Sequence, residues 1–266
     1  MPTLYRTFHP MPHTRLHLKE TESTNDVGGE WLKTAKTGET LTAWTSNQTR
    51  GRGQRGNAWD QTPGLDLALT VAVKWPNEAP TYDPVVLNKA VTAGIRDAIA
   101  ALLNDAPAVR SVGIKWPNDI LVQNAGHRWL KCAGILIENT WRGTEWDGTL
   151  IGVGVNVNST HTGANRRCAL SEFTRSPIAV EHVEACLSEH LLRALETNVA
   201  PSSYERHLVG FGLTRQMSVQ GQAGMGTVTG VNAHGALSLE WTPKDGSTQL
   251  VAIDRSDALH WDWLWE

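Results

Sequence analysis

One short stretch of the sequence concentrates groups that can bind an anion. Residues 51–56 read Gly-Arg-Gly-Gln-Arg-Gly, with Gln48 before them and Trp59 after them. Arginine carries planar, permanently charged donors that match carboxylate and phosphate oxygens. Glycine lets backbone N–H groups approach a ligand closely. The composition of this stretch therefore predicts a loop that captures an anion, with phosphate favoured.

Two other interpretations of residues 51–56 compete with anion capture. The spacing G-x-G-x-x-G is a dinucleotide-binding fingerprint, but that motif needs a helix to begin at its third glycine. Residues 57–64 read Asn-Ala-Trp-Asp-Gln-Thr-Pro-Gly and continue as a loop, so the required helix is missing. A solvated surface loop is the second alternative, because charged runs often face water. Composition alone leaves this alternative open.

Further candidate residues lie at the start of a helix and at a corner between two strands. Ser23-Thr24-Asn25 precedes a helical apolar pattern, and Ser23 with Asp26 has the spacing of a capping box. Lys115-Trp116-Pro117-Asn118-Asp119 lies between two apolar runs, where the proline ends strand pairing and fixes the corner. Lys-Trp-Pro-Asn also occurs at residues 74–77, but the flanks differ and we interpret that repeat as coincidence.

Apolar patterning predicts an α+β chain. Residues 41–46 alternate as a half-buried strand does, whereas residues 67–73 are continuously apolar, as in a buried strand. Successive short strands joined by tight turns predict an antiparallel meander over 112–158. The predicted elements are strands at 16–20, 41–46, 67–73, 112–116, 120–122, 129–138 and 148–158, and helices over 23–35, 83–104, 178–196 and 202–209.

The C-terminal part of the chain has a different sequence pattern. From about residue 213, five short strand-like runs alternate with Gly, Asn, Pro and Asp, which predicts a small β-barrel or sandwich. We place the boundary at Gly210-Phe211-Gly212, so that the domains span residues 1–212 and 213–266.

Composition limits the class of protein. The chain has 266 residues, of which 40% are hydrophobic and 19% charged, with a net charge of −3. These values predict a globular chain and argue against a protein that coats nucleic acid. Three widely spaced cysteines without a C-x-x-C motif fit a reducing cytosol. No apolar run is long enough for a membrane span, so we expect a soluble cytoplasmic protein.

Taken in order, the candidate segments resemble a biotin–protein ligase, and the resemblance covers nearly the whole chain. The matching segments are Ser23-Thr24-Asn25, Gln48, residues 51–56 with Trp59, Lys115-Trp116-Pro117-Asn118-Asp119, Lys131-Cys132-Ala133-Gly134-Ile135-Leu136 and Gly152-Val153-Gly154-Val155-Asn156. The resemblance implies an α+β catalytic domain like that of class II aminoacyl-tRNA synthetases. Such a domain has a mixed, mainly antiparallel sheet with flanking helices, and a small SH3-like β-barrel follows it.

The resemblance also implies a two-step reaction. Biotin and ATP, the latter with Mg²⁺, give biotinyl-5′-AMP and pyrophosphate, and a lysine of a biotin carboxyl carrier protein then takes the biotinyl group. No metal site of the protein's own is implied, and neither nucleic acid nor a membrane is an expected partner. A homodimer is left open. The motifs begin by residue 23, so a preceding DNA-binding domain, which some family members carry, is not expected.

Roles for individual residues follow from the resemblance. Positive groups must cancel the repulsion between a carboxylate and the α-phosphate, and the implied catalytic residues are Arg52, Lys115 and Lys131. The implied biotin and adenylate contacts are Ser23, Thr24, Asn25, Gln48, Gly51, Arg52, Gly53, Gln54, Lys131 and Gly134. The implied ATP contacts are Trp59, Lys115, Asn118 and Asn156.

One position departs from the family pattern. Many members carry Gly-Arg-Gly-Arg, whereas this chain has glutamine at position 54 and loses a charge there. Arg55 and Arg50 are the neighbouring candidates to compensate for it. Two alternatives to biotin ligation also stay open: a lipoate–protein ligase, and a non-catalytic sensor of biotin or a nucleotide.

Overall fold

The computed structural model describes residues 12–75, 83–160, 166–197 and 203–261. The strands are β1 His13–His17, β2 Thr40–Thr45, β3 Gly51–Arg52, β4 Ala58–Trp59, β5 Leu67–Lys74, β6 Val109–Lys115, β7 Asp119–Asn124, β8 Trp129–Arg142, β9 Glu145–Val155, β10 Thr214–Val219, β11 Gln222–Val231, β12 Leu237–Pro243, β13 Gln249–Ile253 and β14 Leu259–His260. The helices are α1 Thr24–Leu32, α2 Pro84–Leu102, α3 Val180–Thr197 and α4 Ser203–Arg206. Within the described ranges, none of the helices has both the length and the apolar character needed to cross a membrane.

A seven-stranded sheet forms the larger part of the described fold. Its strand order is β1-β2-β5-β9-β8-β7-β6. Only the β1–β2 pair among these neighbours is parallel, and the other neighbours are antiparallel. The predicted meander is confirmed as β6 to β9. The first predicted strand is displaced, because β1 begins at residue 13 rather than at residue 16.

Helices cover both faces of this sheet. Helix α1 packs on β2, β5 and β9 on one side, and α2 packs with α3 on the other. As a result β2 is buried at every residue, and the prediction of a half-buried strand there is wrong. Its threonines tolerate burial because they find partners: Thr40 Oγ1 donates to the carbonyl of Pro12, and Thr42 Oγ1 lies 2.8 Å from His13 Nε2.

The start of α1 differs from the predicted capping box. Ser23 occupies the N-cap in an extended conformation, but its side chain makes no capping hydrogen bond. Instead the backbone N–H of Thr24 donates to Gln48 Oε1 at 2.9 Å. A free helix N–H needs an acceptor, and here a glutamine from a following loop supplies it. Helix α2, by contrast, begins as predicted, with Asp83 accepting the N–H of Val85.

The C-terminal residues form a separate five-stranded sheet in the order β13-β12-β11-β10-β14. All its strand pairs are antiparallel. Its buried residues join the same apolar cluster as α2 and α3. The indole N–H of Trp116 donates to the carbonyl of Gly235 at 3.0 Å, and Lys89 Nζ donates to the carbonyl of Val231 at 2.9 Å. The second sheet is thus fixed against the corner that carries Lys115.

A buried carboxylate joins the start of β5 to the segment that follows β9. Asp66 is 1% exposed. Its two oxygens accept backbone N–H groups of Thr62, Val157 and Ser159 at 3.0, 2.9 and 3.3 Å. Buried N–H groups without an acceptor are costly, so this side chain fixes the start of β5 to the segment after β9 at one end of this antiparallel pair.

We predict that Asp66→Ala lowers the free energy of unfolding by about 3 kcal/mol, because charge-assisted hydrogen bonds are lost and donors remain buried. Urea denaturation followed by circular dichroism measures the change. Asp105→Ala, at an exposed aspartate beyond α2, is the matched control and should change stability by less than about 0.5 kcal/mol. Equal effects of the two substitutions would contradict the role of Asp66.

Candidate active site

A cavity of about 770 Å³ opens between the N-terminus of α1, the β3–β4 hairpin and the centre of the large sheet. This volume suits a small-molecule ligand. All the predicted site residues lie in the described ranges, and all but three of them line this cavity. The lining residues among them are Ser23, Thr24, Asn25, Gln48, Arg52, Gly53, Gln54, Trp59, Asn118, Lys131 and Gly134.

Gly51, Asn156 and Lys115 are the three exceptions. Gly51 does not line the cavity, and a Cβ at this position would lie 2.6 Å from Gln48 Nε2. Asn156 is buried, and its amide donates to the carbonyls of Cys168 and Lys131 at 3.2 and 3.5 Å. That amide is therefore engaged with the backbone, and we replace its predicted nucleotide contact with a structural role.

Gln48 is oriented by the start of α1. Its Oε1 accepts from both the N–H and the hydroxyl of Thr24, at 2.9 and 3.3 Å. The hydroxyl of Thr70 on β5 lies 2.7 Å from Thr24 Oγ1 and 2.6 Å from Asn25 Oδ1. These bonds use the acceptor side of Gln48 and leave its NH₂ group as the donor. A polar, well-ordered end of the cavity results.

Arg52 is held by two carboxylates that the sequence did not identify. Its guanidinium lies 2.7 Å from Asp26 and 3.8 Å from Glu138. Glu138 also accepts from the amide of Asn25 at 2.6 Å. Hydrogen bonding to Asp26 raises the pKa of Arg52. The loop residue is thereby drawn over the N-terminus of α1, next to the polar end of the cavity.

Two lysines share one aspartate at the opposite side. Lys131 Nζ lies 2.6 Å from Asp119, and Lys115 Nζ lies 3.8 Å from the same carboxylate. Burial lowers the pKa of Lys115, although Asp119 raises it, and the positive charges of Lys131 and Arg166 lower it further. Lys115 lies outside the cavity lining but is electrostatically coupled to the lysine that lines it.

Glycines in β8 and β9 form a flat floor. A Cβ on Gly154 would lie 2.2 Å from the indole of Trp59, and one on Gly134 would lie 3.0 Å from the same ring. A Cβ on Gly152 would lie 2.4 Å from Asn25 Oδ1. The absence of side chains therefore lets Trp59 lie on the sheet. There Lys131 Nζ sits 5.5 Å from the centre of the indole ring, within the range of a cation–π contact.

Several lining residues were not found from the sequence. Arg167 and Asp60 line the cavity from opposite segments, and Ser256 and Asp257 reach it from the C-terminal part of the chain. Arg55 joins the loop to that part through Asp257 at 2.7 Å. Asp60, Arg167, Ser256 and Asp257 lie in no recognisable motif, so only the folded arrangement identifies them.

Neither a reactive cysteine in β8 nor a metal-binding cluster adds to the site within the described residues. Cys132 is fully buried in β8, and burial raises the pKa of its thiol to about 12. Cys132 is therefore a packing residue, since such a thiol does not ionise near neutral pH. In the part of the chain that the structure describes, no group of three or more His, Cys, Asp or Glu side chains could hold a metal ion.

Comparison with known proteins identifies the family. The sequence profile of the biotin/lipoate A/B protein ligase family matches residues 18–156. The chain belongs to this family. The matched range contains every predicted site residue, together with α1, the loop and the sheet floor.

Relatives with curated names agree with this assignment. A biotin–[acetyl-CoA-carboxylase] ligase of Paracoccus denitrificans is 33% identical over 166 residues, which cover 62% of this chain and 61% of that protein. A protein of the same name from Mycobacterium tuberculosis is 33% identical over 111 residues, covering 42% of this chain and 37% of that protein. This chain thus spans less than two thirds of the length of these relatives.

Solved structures share the fold. The biotin protein ligase of Aquifex aeolicus in complex with biotin and ATP has a TM-score of 0.61 and 20% identity, with 90% of this chain and 99% of that chain covered. The Leishmania major biotin protein ligase with biotinyl-5-AMP has a TM-score of 0.57 and 21% identity, covering 91% and 99%. The α+β architecture is therefore that of known biotin protein ligases.

The close contact between Trp59 and Gly154 generates a prediction about the loop. Gly154→Ala should push the indole off the sheet and expose residues 50–56, because the new Cβ would overlap the ring. Trypsin should then cut after Arg52 and Arg55 faster than in the wild type, as mass spectrometry would show.

Gly29→Ala is the matched control, since its Cβ would meet Leu150 at an ordinary 3.7 Å. Cleavage at the loop should be unchanged in that variant. If Gly154→Ala were cleaved no faster than Gly29→Ala, the packing of Trp59 on the glycine floor would not hold the loop.

Proposed function

We propose that this protein is an ATP-dependent biotin–protein ligase, which makes biotinyl-5′-AMP and transfers the biotinyl group to a lysine of a biotin carboxyl carrier protein. The observation that carries the proposal is the convergence of Arg52 and Lys131 on one cavity whose polar end is built around Gln48. Membership of the family and the names of the relatives support it.

In the first step two anions must meet. A carboxylate oxygen of biotin attacks the α-phosphorus of ATP, the bond to the β-phosphate bridging oxygen breaks, and pyrophosphate leaves. Negative charge grows on the phosphoryl oxygens, and fixed cations stabilise it. Lys131 is suited to the reacting centre, because Asp119 at 2.6 Å and the indole of Trp59 fix its position. Lys115, which lies outside the cavity lining, adds positive potential at the reacting centre.

Arg52 is suited to the carboxylate end of the same centre. Its partners Asp26 and Glu138 are themselves carboxylates, and guanidinium donors bind substrate oxygens in the same geometry. Part of the Arg52 guanidinium is directed at Asp26, so substrate binding exchanges one carboxylate partner for another. The exchange costs little, since Arg52 and Asp26 are both about half exposed and such pairs are weak.

The ureido ring of biotin requires donors and acceptors in one pocket. The amide of Gln48, with its NH₂ group unused by Thr24, supplies a donor. Ser23 is buried at the same end and makes no capping bond, so its hydroxyl serves the ligand. The indole N–H of Trp59 is buried and has no acceptor within the described residues, which suits it to an oxygen of the bound intermediate.

In the second step the loop keeps the mixed anhydride from water until the acceptor lysine arrives. The amine attacks the acyl carbon, the bond from that carbon to the phosphate-bridging oxygen breaks, and AMP leaves with that oxygen. Residues 51–56 cover the cavity and are joined to both α1 and the C-terminal sheet, through Arg52 and Arg55 respectively. Exclusion of water by a closed loop limits hydrolysis of such intermediates.

The finer features of the fold belong to the same proposal. The large sheet and its helices correspond to a class II aminoacyl-tRNA synthetase-like domain over residues 1–212, and the second sheet corresponds to an SH3-like barrel over 213–266. Mg²⁺ enters with ATP and is held mainly by phosphate oxygens and water. A cytoplasmic location is part of the proposal, and the choice between monomer and homodimer is left open.

Biotin-dependent exchange of labelled pyrophosphate into ATP tests the function. We expect exchange with biotin and none with lipoate, and we expect Lys131→Ala to lower it by at least about a hundredfold, as for loss of one transition-state donor. Exchange with lipoate instead would favour a lipoate–protein ligase. Binding of biotin without any exchange would favour a sensor and contradict the proposal.

Arg52→Ala should release free biotinyl-5′-AMP about tenfold faster than the wild type, because loss of a charge-assisted contact removes roughly that factor. Chromatography of the adenylate after rapid filtration measures the release rate. Arg50→Ala is the matched control, since Arg50 pairs with exposed Glu22 and is not among the described cavity-lining residues. Retention that is unchanged in Arg52→Ala would show that the loop is not a lid.

A further inference from the structure

One positively charged side chain that lines the cavity comes from outside residues 51–56. Position 54 is glutamine, and it lines the cavity without a charge. Both neighbouring arginines are paired with a carboxylate: Arg55, which also lines the cavity, contacts Asp257 at 2.7 Å, and Arg50 contacts Glu22 at 3.1 Å. The expectation that one of these neighbours replaces the missing charge is therefore not supported by their contacts.

Arg167 lines the same cavity from the segment that follows β9. Its backbone runs beside Lys131, with which it forms an isolated parallel bridge. The N–H of Lys131 donates to the carbonyl of Arg166 at 2.9 Å, and the N–H of Cys168 donates to the carbonyl of Lys131 at 3.0 Å. Arg167 is thus anchored at the strand that carries the reacting-centre lysine.

The segment that carries Arg167 is held against the core by the residues that follow it. Cys168, Ala169 and Leu170 are fully buried, and they fix the chain against the core. Arg167, the residue before this buried run, is itself among the residues that line the cavity. About a third of its side chain is exposed, which leaves its donors accessible.

Among the described residues, the guanidinium of Arg167 forms only a weak ion pair. Asp60 lies 3.7 Å away, beyond hydrogen-bonding distance, and its side chain is 79% exposed. An exposed ion pair at that distance contributes little and yields readily to a stronger anion. Asp60 lies on the loop side of the cavity, immediately after Trp59, so Arg167 faces the loop across the opening.

We propose that Arg167 binds the β- and γ-phosphates of the nucleoside triphosphate and the departing pyrophosphate, and so replaces the charge that position 54 lacks. This inference rests on the proposed function, because it assumes ATP in this cavity. A planar guanidinium suits non-bridging phosphate oxygens. Positive charge at the opening favours both entry of the triphosphate and stabilisation of the leaving group.

Steady-state pyrophosphate exchange on the full chain tests the inference. We expect Arg167→Gln, which keeps amide donors but removes the charge, to raise the KM for ATP about tenfold. The KM for biotin should stay within about twofold, and Arg167→Lys should recover most of the loss. Arg193→Gln removes an exposed arginine of α3 that is not among the described cavity-lining residues, and should leave the KM for ATP unchanged.

Moving the positive charge from position 167 to position 54 gives the most specific test. Adding Gln54→Arg to Arg167→Gln should return the KM for ATP to within about threefold of the wild type, because the cation returns to the same opening. An unchanged KM in Arg167→Gln would overturn the inference. So would equal losses in Arg167→Gln and Arg193→Gln, since the effect would then not depend on where the charge lies.

Calorimetric binding of ATP separates failure of the inference from failure of the proposed function. If the wild type shows no biotin-dependent exchange, the proposed function fails, but the Kd for ATP still reports on Arg167. A Kd about tenfold weaker in Arg167→Gln than in the wild type supports the phosphate contact. Equal Kd values, or no ATP binding by the wild type, overturn it.

Discussion

The β-bulge in β8 is the constraint on which the geometry of the site depends. The pairing of β7 with β8 changes register between Ile120 and Leu121, so that one extra residue stands in β8 near Cys132. Residues three apart on a regular strand face opposite sides. The extra residue brings Lys131 and Gly134 onto the same face, where a Cβ at Gly134 would lie 3.4 Å from Lys131 Nζ. Bulges commonly redirect a side chain next to active sites.

Other features of the site follow from that face. Asp119 pairs with Gly134 across the strands and meets Lys131 at 2.6 Å. Gly134 and Gly154 are also directly opposite each other, which makes room for Trp59 and therefore for the loop that carries it. A single irregularity in one strand thus positions the lysine, its aspartate and the glycines on which Trp59 lies.

The sequence predicted those parts of the structure that leave a local signal. The meander and the start of α2 follow from alternation, turns and the Asp83-Pro84 cap. Burial of β2 was missed, because its threonines look solvent-facing until both covering helices are known. The capping box at Ser23 was wrong, because the acceptor for the helix N–H comes from Gln48, more than twenty residues later. Asp26 was predicted only as part of a cap and not as the partner of Arg52. Glu138 and Arg167 were missed, since charged residues at partly exposed positions have no periodicity, and only tertiary structure brings them to the site.

Transfer of an isotopic label tests most directly whether this cavity joins a carboxylate to a nucleoside phosphate. Biotin labelled with ¹⁸O in its carboxylate is supplied with ATP, the protein and a biotin carboxyl carrier domain, and the AMP is examined by mass spectrometry. The account predicts one ¹⁸O atom in each AMP, because the attacking carboxylate oxygen stays with phosphorus when the amine displaces it. Unlabelled AMP, or formation of ADP in its place, would contradict the account.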